Sequence, residues 1–130
     1  MYIIDTHVLI WSFTASEKLS QRVKHILSST SEVYISVISL WEVALKFGIG
    51  KLVLEGGTPE ILWQEIVKSR LKVLPLHPET AIQFHNLPLM KHQDPFDRLI
   101  IWQALQNNFA LISKDKDFEE YRKTGLQLIW

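Results

Sequence analysis

HQDPFDRLIIWQALQNNFALIS, residues 92–113, decides the fold. Asp94 followed by Pro95 is a helix start: an acid at the N-cap, then proline where no amide hydrogen is needed. The apolar spacing that follows predicts a helix over Pro95–Asn107. Phe109–Ser113 (FALIS) is then too short and too apolar for anything but a buried strand. A long helix running straight into a fully apolar strand is half of a parallel α/β unit.

The same alternation extends outward in both directions. Tyr2–Asp5 (YIID) and Val33–Ser36 (VYIS) read as buried strands, and Leu71–Leu76 (LKVLPL) as a third, placed at an edge by Pro75. Leu126–Trp130 (LQLIW) is the fifth strand. Helices are expected over His7–Phe13, Ser20–Ser29, Ile38–Phe47, Pro59–Arg70 (with Thr58 as N-cap) and Pro78–Asn86, and a helical turn over Asp117–Arg122. The expected fold is α/β: three layers, with a five-stranded, mainly parallel sheet between helices. The glycine-rich stretch Gly48–Pro59 reads as a surface excursion, so residues 1–130 are expected to form a single domain.

Composition narrows the chemistry. With no cysteine, disulfides, thiolate zinc sites and cysteine catalysis are excluded, which fits a reducing cytoplasm. The opening Met-Tyr-Ile-Ile-Asp lacks the basic region of a signal peptide, and no apolar run nears the roughly 20 residues of a membrane helix. Net charge is zero, from 14 basic and 14 acidic residues, which counts mildly against a nucleic-acid partner. A carboxylate site neutralised by metal, however, binds phosphate without a basic surface.

The aspartates are few and oddly placed. Five exist, Asp5, Asp94, Asp97, Asp115 and Asp117, and all fall at strand ends or helix starts. Glu42 lies in the helix after the second strand, among apolar neighbours. In a parallel α/β fold these positions can face one sheet edge, where such folds bind ligands. Acids gathered there repel each other, and a hard divalent cation, Mg²⁺ or Mn²⁺, is the usual remedy. Each acid also has a plainer role. Asp5 fits a helix cap, Glu42 an ion pair with Lys46, and Asp94 a cap with Asp97 as favoured first-turn acid. Asp115 or Asp117 fits the cap of the last helical turn. His92, two residues before Asp94, is a candidate for touching substrate or metal, although a loop histidine is more often structural. Arg98 and Lys46 are candidate phosphate contacts whose default reading is surface charge.

Four segments in order resemble the PIN-domain nucleases, in particular the VapC-type toxins of bacterial toxin–antitoxin pairs: YIIDTHVLIW (2–11), ISVISLWEVALKFGIGKL (35–52), HQDPFDRLIIWQA (92–104) and LISKDKDF (111–118). The resemblance implies that Asp5, Glu42 and Asp97 bind metal, that Asp115 is a fourth, more variable acid, and that Thr6 and Ser39 are small hydroxyl residues near the site. It selects Asp97 over Asp94 and Asp115 over Asp117. It departs at Ser113, where threonine is common, and at Ile101–Trp102, where paired alanines are usual, which puts the tight helix packing there in doubt. It further implies RNA cleavage with Mg²⁺ or Mn²⁺, leaving a 5′-phosphate and a 3′-hydroxyl, a homodimer, and an inhibiting antitoxin partner. Two other classes stay open on the residues alone. One is phosphoryl transfer through an aspartyl-phosphate at Asp5, although residue 7 is His rather than the expected Asp. The other is a non-catalytic module using Trp11, Trp41 or Trp63, most of which are expected in the core.

Overall fold

The computed structural model describes residues 1–130. Strands β1 (Tyr2–Ile4), β2 (Val33–Ser36), β3 (Lys72–Leu74), β4 (Ala110–Ile112) and β5 (Leu128–Ile129) join one sheet in the order β3-β2-β1-β4-β5. Every pair is parallel, with Ile4 level with Ile35 on one side and Ile112 on the other. Parallel strands need crossovers, and these are α1 (Thr6–Thr14), α2 (Gln21–Ser29), α3 (Val37–Gly48), α4 (Pro59–Lys68), α5 (Pro78–Ile82) and α6 (Pro95–Asn107). Short 3₁₀ turns cover Ser16–Lys18, Gln83–Asn86 and Lys116–Thr124.

Successive strand residues face opposite sides of a sheet, and here both sides are covered. Ile3 and Leu111 turn to one side and pack with Ile100, Ile101, Phe118 and Tyr121. Ile4, Ile35 and Ile112 turn to the other and meet Val8, Val23, Leu62 and Ile66. All of these are buried. Each such aliphatic side chain contributes roughly 1.5–3 kcal/mol on leaving water.

Several expectations shift by a residue or two. Pro75 lies just beyond β3 rather than within it, because it has no amide hydrogen for the ladder; β3 is still an edge strand. The Pro78–Asn86 helix turns 3₁₀ after Ile82, and the last helical turn extends over Lys116–Thr124. Ile101–Trp102, bulky where the resemblance led one to expect small residues, are both buried, and the Trp102 indole N–H donates to Thr80 O at 2.9 Å. The space for the indole is provided by α5. Trp41 and Trp63 are 58% and 43% exposed, against the expectation of core packing, while Trp11 is half-buried.

The strand order also locates a crevice. The chain moves outward from β1 to β2 and β3, then returns to the other side of β1 for β4. Between β1 and β4 the crossovers diverge to opposite sides, leaving a gap beyond the carboxyl ends of these two strands. Asp5 directly follows β1, and Ser113 directly follows β4.

Candidate functional site

Asp5 is the N-cap of α1: its Oδ1 accepts the Val8 amide hydrogen at 2.7 Å. The capping role and a place in the crevice therefore coexist. The residue is 3% exposed, and burial pushes its carboxyl above the ordinary value. The Ser113 side chain, the Val8 amide and the charge of His7 oppose that shift, and the Asp115 charge adds to it.

Thr6 links Asp5 to the second acid. Its Oγ1 donates to Glu42 Oε1 at 2.7 Å and lies 3.0 Å from Ser39 Oγ, leaving the Ser39 hydroxyl to donate to Thr6. Thr6, Ser39 and Glu42 are all buried. The helix carrying Ser39 and Glu42 is started by Ser36, whose Oγ accepts from the Ile38 amide at 3.0 Å. The other Glu42 oxygen is ion-paired with Lys46, one turn on. Burial alone would lower the Lys46 ammonium, but Glu42, with Asp94 and Asp97 behind it, outweighs that and holds it above its ordinary value.

Asp94 caps α6 by accepting the Asp97 amide at 2.9 Å. That uses one Asp94 oxygen, while the Asp97 carboxylate meets His92. Burial pushes Asp97 up to about 6; its bond to His92 opposes this, while the charges of Asp94 and Glu42 reinforce it.

His92 is placed far more deliberately than a loop histidine requires. Its Nε2 lies 2.7 Å from Asp97 Oδ2, and its Nδ1 lies 3.7 Å from Asp117 Oδ2. Its amide donates to Glu120 Oε1 at 2.8 Å, its carbonyl accepts from Tyr121 Oη at 2.6 Å, and Phe118 packs against its ring. Behind Tyr121 stands Arg98, donating to Tyr121 Oη at 2.8 Å and to the carbonyls of Pro88 at 3.0 Å and Leu87 at 3.2 Å.

Arg98 is therefore neither surface charge nor a phosphate contact. It is 5% exposed and consumed by these bonds, because three acceptors from distant segments match its fork. Lys46, by contrast, does stand at the site. Asp115 caps the final 3₁₀ turn through the Asp117 amide at 2.9 Å, and its own amide donates to Ser113 Oγ at 3.0 Å. Asp117 is largely exposed.

The acids feel one another across the strand reversal: the Asp115 charge reaches Asp5, and the charges of Asp94 and Glu42 reach Asp97. Thr6 joins α1 to Glu42 of α3, and His92 lies between Asp97 and Asp117. The tightest convergence of ligand atoms is His92, Asp115 and Asp117, within 4.8 Å of one another. The expected quartet is looser, and each member has a local partner: Asp5 the Val8 amide, Glu42 Thr6 and Lys46, Asp97 His92, and Asp115 the Asp117 amide. Lys46 is the one lysine or arginine ion-paired with any of these acids. A donor set of carboxylate oxygens and one imidazole nitrogen, with excess negative charge and two carboxyls pushed up by burial, suits a hard divalent cation.

A wholly parallel sheet with buried carboxylates at its strand reversal defines an α/β protein with an acidic crevice. The chain belongs to the PIN-domain family, whose model, described as "PIN domain", matches residues 2–124. It is 23% identical over 128 residues to Ribonuclease VapC22 of Mycobacterium tuberculosis (strain ATCC 25618 / H37Rv), covering 98% of this chain and 97% of that one. Its fold is shared by VapBC2 from Rickettsia felis, solved bound to a DNA fragment from the promoter, with TM-score 0.69 and 20% identity over 98% of this chain and 96% of that one. It is shared equally by FitAcB from Neisseria gonorrhoeae, with TM-score 0.70 and 20% identity over 100% and 97% of the two chains.

Proposed function

We propose that this protein is a divalent-metal-dependent endoribonuclease, acting as the toxin of a toxin–antitoxin pair in the cytoplasm, and that residues 1–130 are one catalytic domain. The observation that carries the reading is the burial of Asp5 and Asp97 at the strand reversal, which pushes both carboxyls up. A fold does not keep such costly charges together for packing, since apolar residues would serve better.

Asp5, Glu42, Asp97 and Asp115 are the residues proposed to hold Mg²⁺ or Mn²⁺. The metal supplies a Lewis acid for the phosphodiester and lowers the pKa of water beside it. The chain's own contribution is positioning. Thr6 and Ser39 fix the Glu42 carboxylate, and His92 fixes the Asp97 carboxylate by donating from Nε2. Lys46 offsets the charge of Glu42 and has hydrogens left for a phosphate oxygen. Asp94 serves α6 rather than the metal. Asp5, nearly sealed and accepting from the Val8 amide, is poorly presented as a nucleophile, which disfavours an aspartyl-phosphate route.

A protein partner is supported by an exposed apolar stripe, Val37, Trp41 and Leu45 on α3 and Ile49 at its C-cap, at spacings of four residues. It would serve an antitoxin or a second copy. No helix is long and apolar enough to cross a membrane.

Asp5→Asn and Asp97→Asn should each abolish Mg²⁺- or Mn²⁺-dependent cleavage of RNA while the far-ultraviolet circular dichroism stays that of the folded protein. Full activity in either variant defeats the assignment.

A further inference from the structure

Lys46 is held more firmly than an ordinary lysine one helical turn from its partner. Its ammonium is ion-paired with Glu42 Oε2, while Glu42 Oε1 accepts from Thr6 Oγ1 at 2.7 Å. Glu42 is buried, so this is not a solvated pair on a helix surface. On α6, the Phe96 ring lies 5.8 Å from Lys46 Nζ, and Trp41 of α3 meets Phe96 edge-on at 5.1 Å. Phe96 is the residue before Asp97. The ammonium is thus fixed by α3 and α6 together, and each of these helices carries an acid of the site. Burial disfavours its charge, and Glu42, Asp94 and Asp97 more than restore it.

We infer that Lys46 is a resident cation of the carboxylate site: its ammonium stands in for a second divalent ion, so that each chain takes one ion and not two. The inference rests on the metal-dependent nuclease reading above, to which it adds the number of ions and the reason for it.

The argument is one of charge. Asp5, Glu42, Asp97 and Asp115 offer four negative charges when all are ionised. Lys46 and one divalent ion supply three positive charges, leaving a small excess of negative charge. Two divalent ions would balance the acids without Lys46 and overshoot them with it. Paired ions in phosphodiester hydrolysis stand only about 4 Å apart, and an ammonium at the same carboxylates repels the second of them strongly. That second ion also competes with a cation that is tethered to the chain and always present at high local concentration. An ammonium offsets the charge of a phosphate oxygen as a point charge, which is the electrostatic part of what a second ion does.

The competing explanation is a helix-stabilising pair one turn apart, with no bearing on metal. Charge and packing are separated by variants of the full chain. Lys46→Met removes the charge and keeps an apolar stem for Phe96, Lys46→Gln is a second neutral form, and Lys46→Arg keeps the charge. Each is titrated with Mn²⁺, and bound ions per chain are counted from the free-ion electron paramagnetic resonance signal. Far-ultraviolet circular dichroism checks that the variants are folded.

Wild type and Lys46→Arg should each bind one Mn²⁺. The neutral variants should bind two, the first at least about tenfold more tightly than wild type does, because the ammonium no longer opposes it. A second ion bound by wild type or by Lys46→Arg overturns the inference. So does a folded neutral variant that still binds a single ion. A wild type that binds no Mn²⁺ refutes the metal-dependent reading itself.

Discussion

Replacing Asp97 by Asn should make the metal-free protein more stable, and only above about pH 3.8, where the unfolded carboxyl ionises. The folded state raises this carboxyl from an ordinary 3.8 to about 6, chiefly by burial. A folded pKa above the unfolded one means the native state holds the proton more tightly. Below about pH 3.8 both states are protonated and the residue is neutral in the balance. Between 3.8 and 6 the unfolded chain releases its proton first, so stability falls as pH rises. Above 6 both states are ionised and the full penalty remains. At about 1.4 kcal/mol per tenfold in proton affinity, the ceiling on that penalty is about 3 kcal/mol.

Asparagine carries no charge to desolvate and still offers His92 a carbonyl oxygen. Asp97→Asn should therefore gain about 1–3 kcal/mol over wild type at pH 8 in a chelator, narrowing toward zero near pH 4. Urea unfolding followed by tryptophan fluorescence across that pH range reads the difference. Wild type should recover stability on addition of Mn²⁺ and the variant much less, because binding to the native state adds to its stability. A variant no more stable than wild type at pH 8, or a gap that does not change with pH, refutes the claim that site assembly is held against an electrostatic cost at Asp97.

The remaining predictions concern the scaffold around that residue. His92→Ala should weaken Mn²⁺ binding about 10–100-fold, read from the free-ion electron paramagnetic resonance signal, with His92→Gln keeping much of the affinity by restoring a donor to Asp97. Arg98→Lys should cost more than about 2 kcal/mol in urea unfolding, because a lysine cannot serve Leu87 O, Pro88 O and Tyr121 Oη together and leaves buried acceptors unpaired. Trp41→Lys, on the exposed α3 stripe, should cost no more than about 1.5 kcal/mol, the scale of its edge-on contact with Phe96, while shifting any oligomer seen by light scattering toward monomer or abolishing antitoxin binding.

Local chemistry was legible along the chain. Asp94–Pro95 and Thr58–Pro59 start helices in the structure as their residue types require, since a cap depends on partners within three residues. The five apolar runs become strands, since each is too short for a helix and too apolar for a loop. Together with the four-segment resemblance, this was enough to predict acids facing one sheet edge. Strand ends were less legible, because where a ladder stops depends on the neighbouring strand.

What the linear order could not disclose is which side chains answer one another across the fold. His92 was a candidate contact whose default reading was structural, because its grip depends on Asp97, Phe118, Glu120 and Tyr121, brought together only in the fold. Arg98 read as surface charge because its acceptors become neighbours only when the Leu87–Pro88 segment lies against the final 3₁₀ turn. Trp11 meets Trp130 only because β5 closes the sheet. Helix caps and strand periodicity are settled by contacts a few residues apart and so are written into the sequence itself. Burial, and with it the charge state of Asp5 and Asp97, is settled by which distant segments exclude water, and only the folded chain decides that.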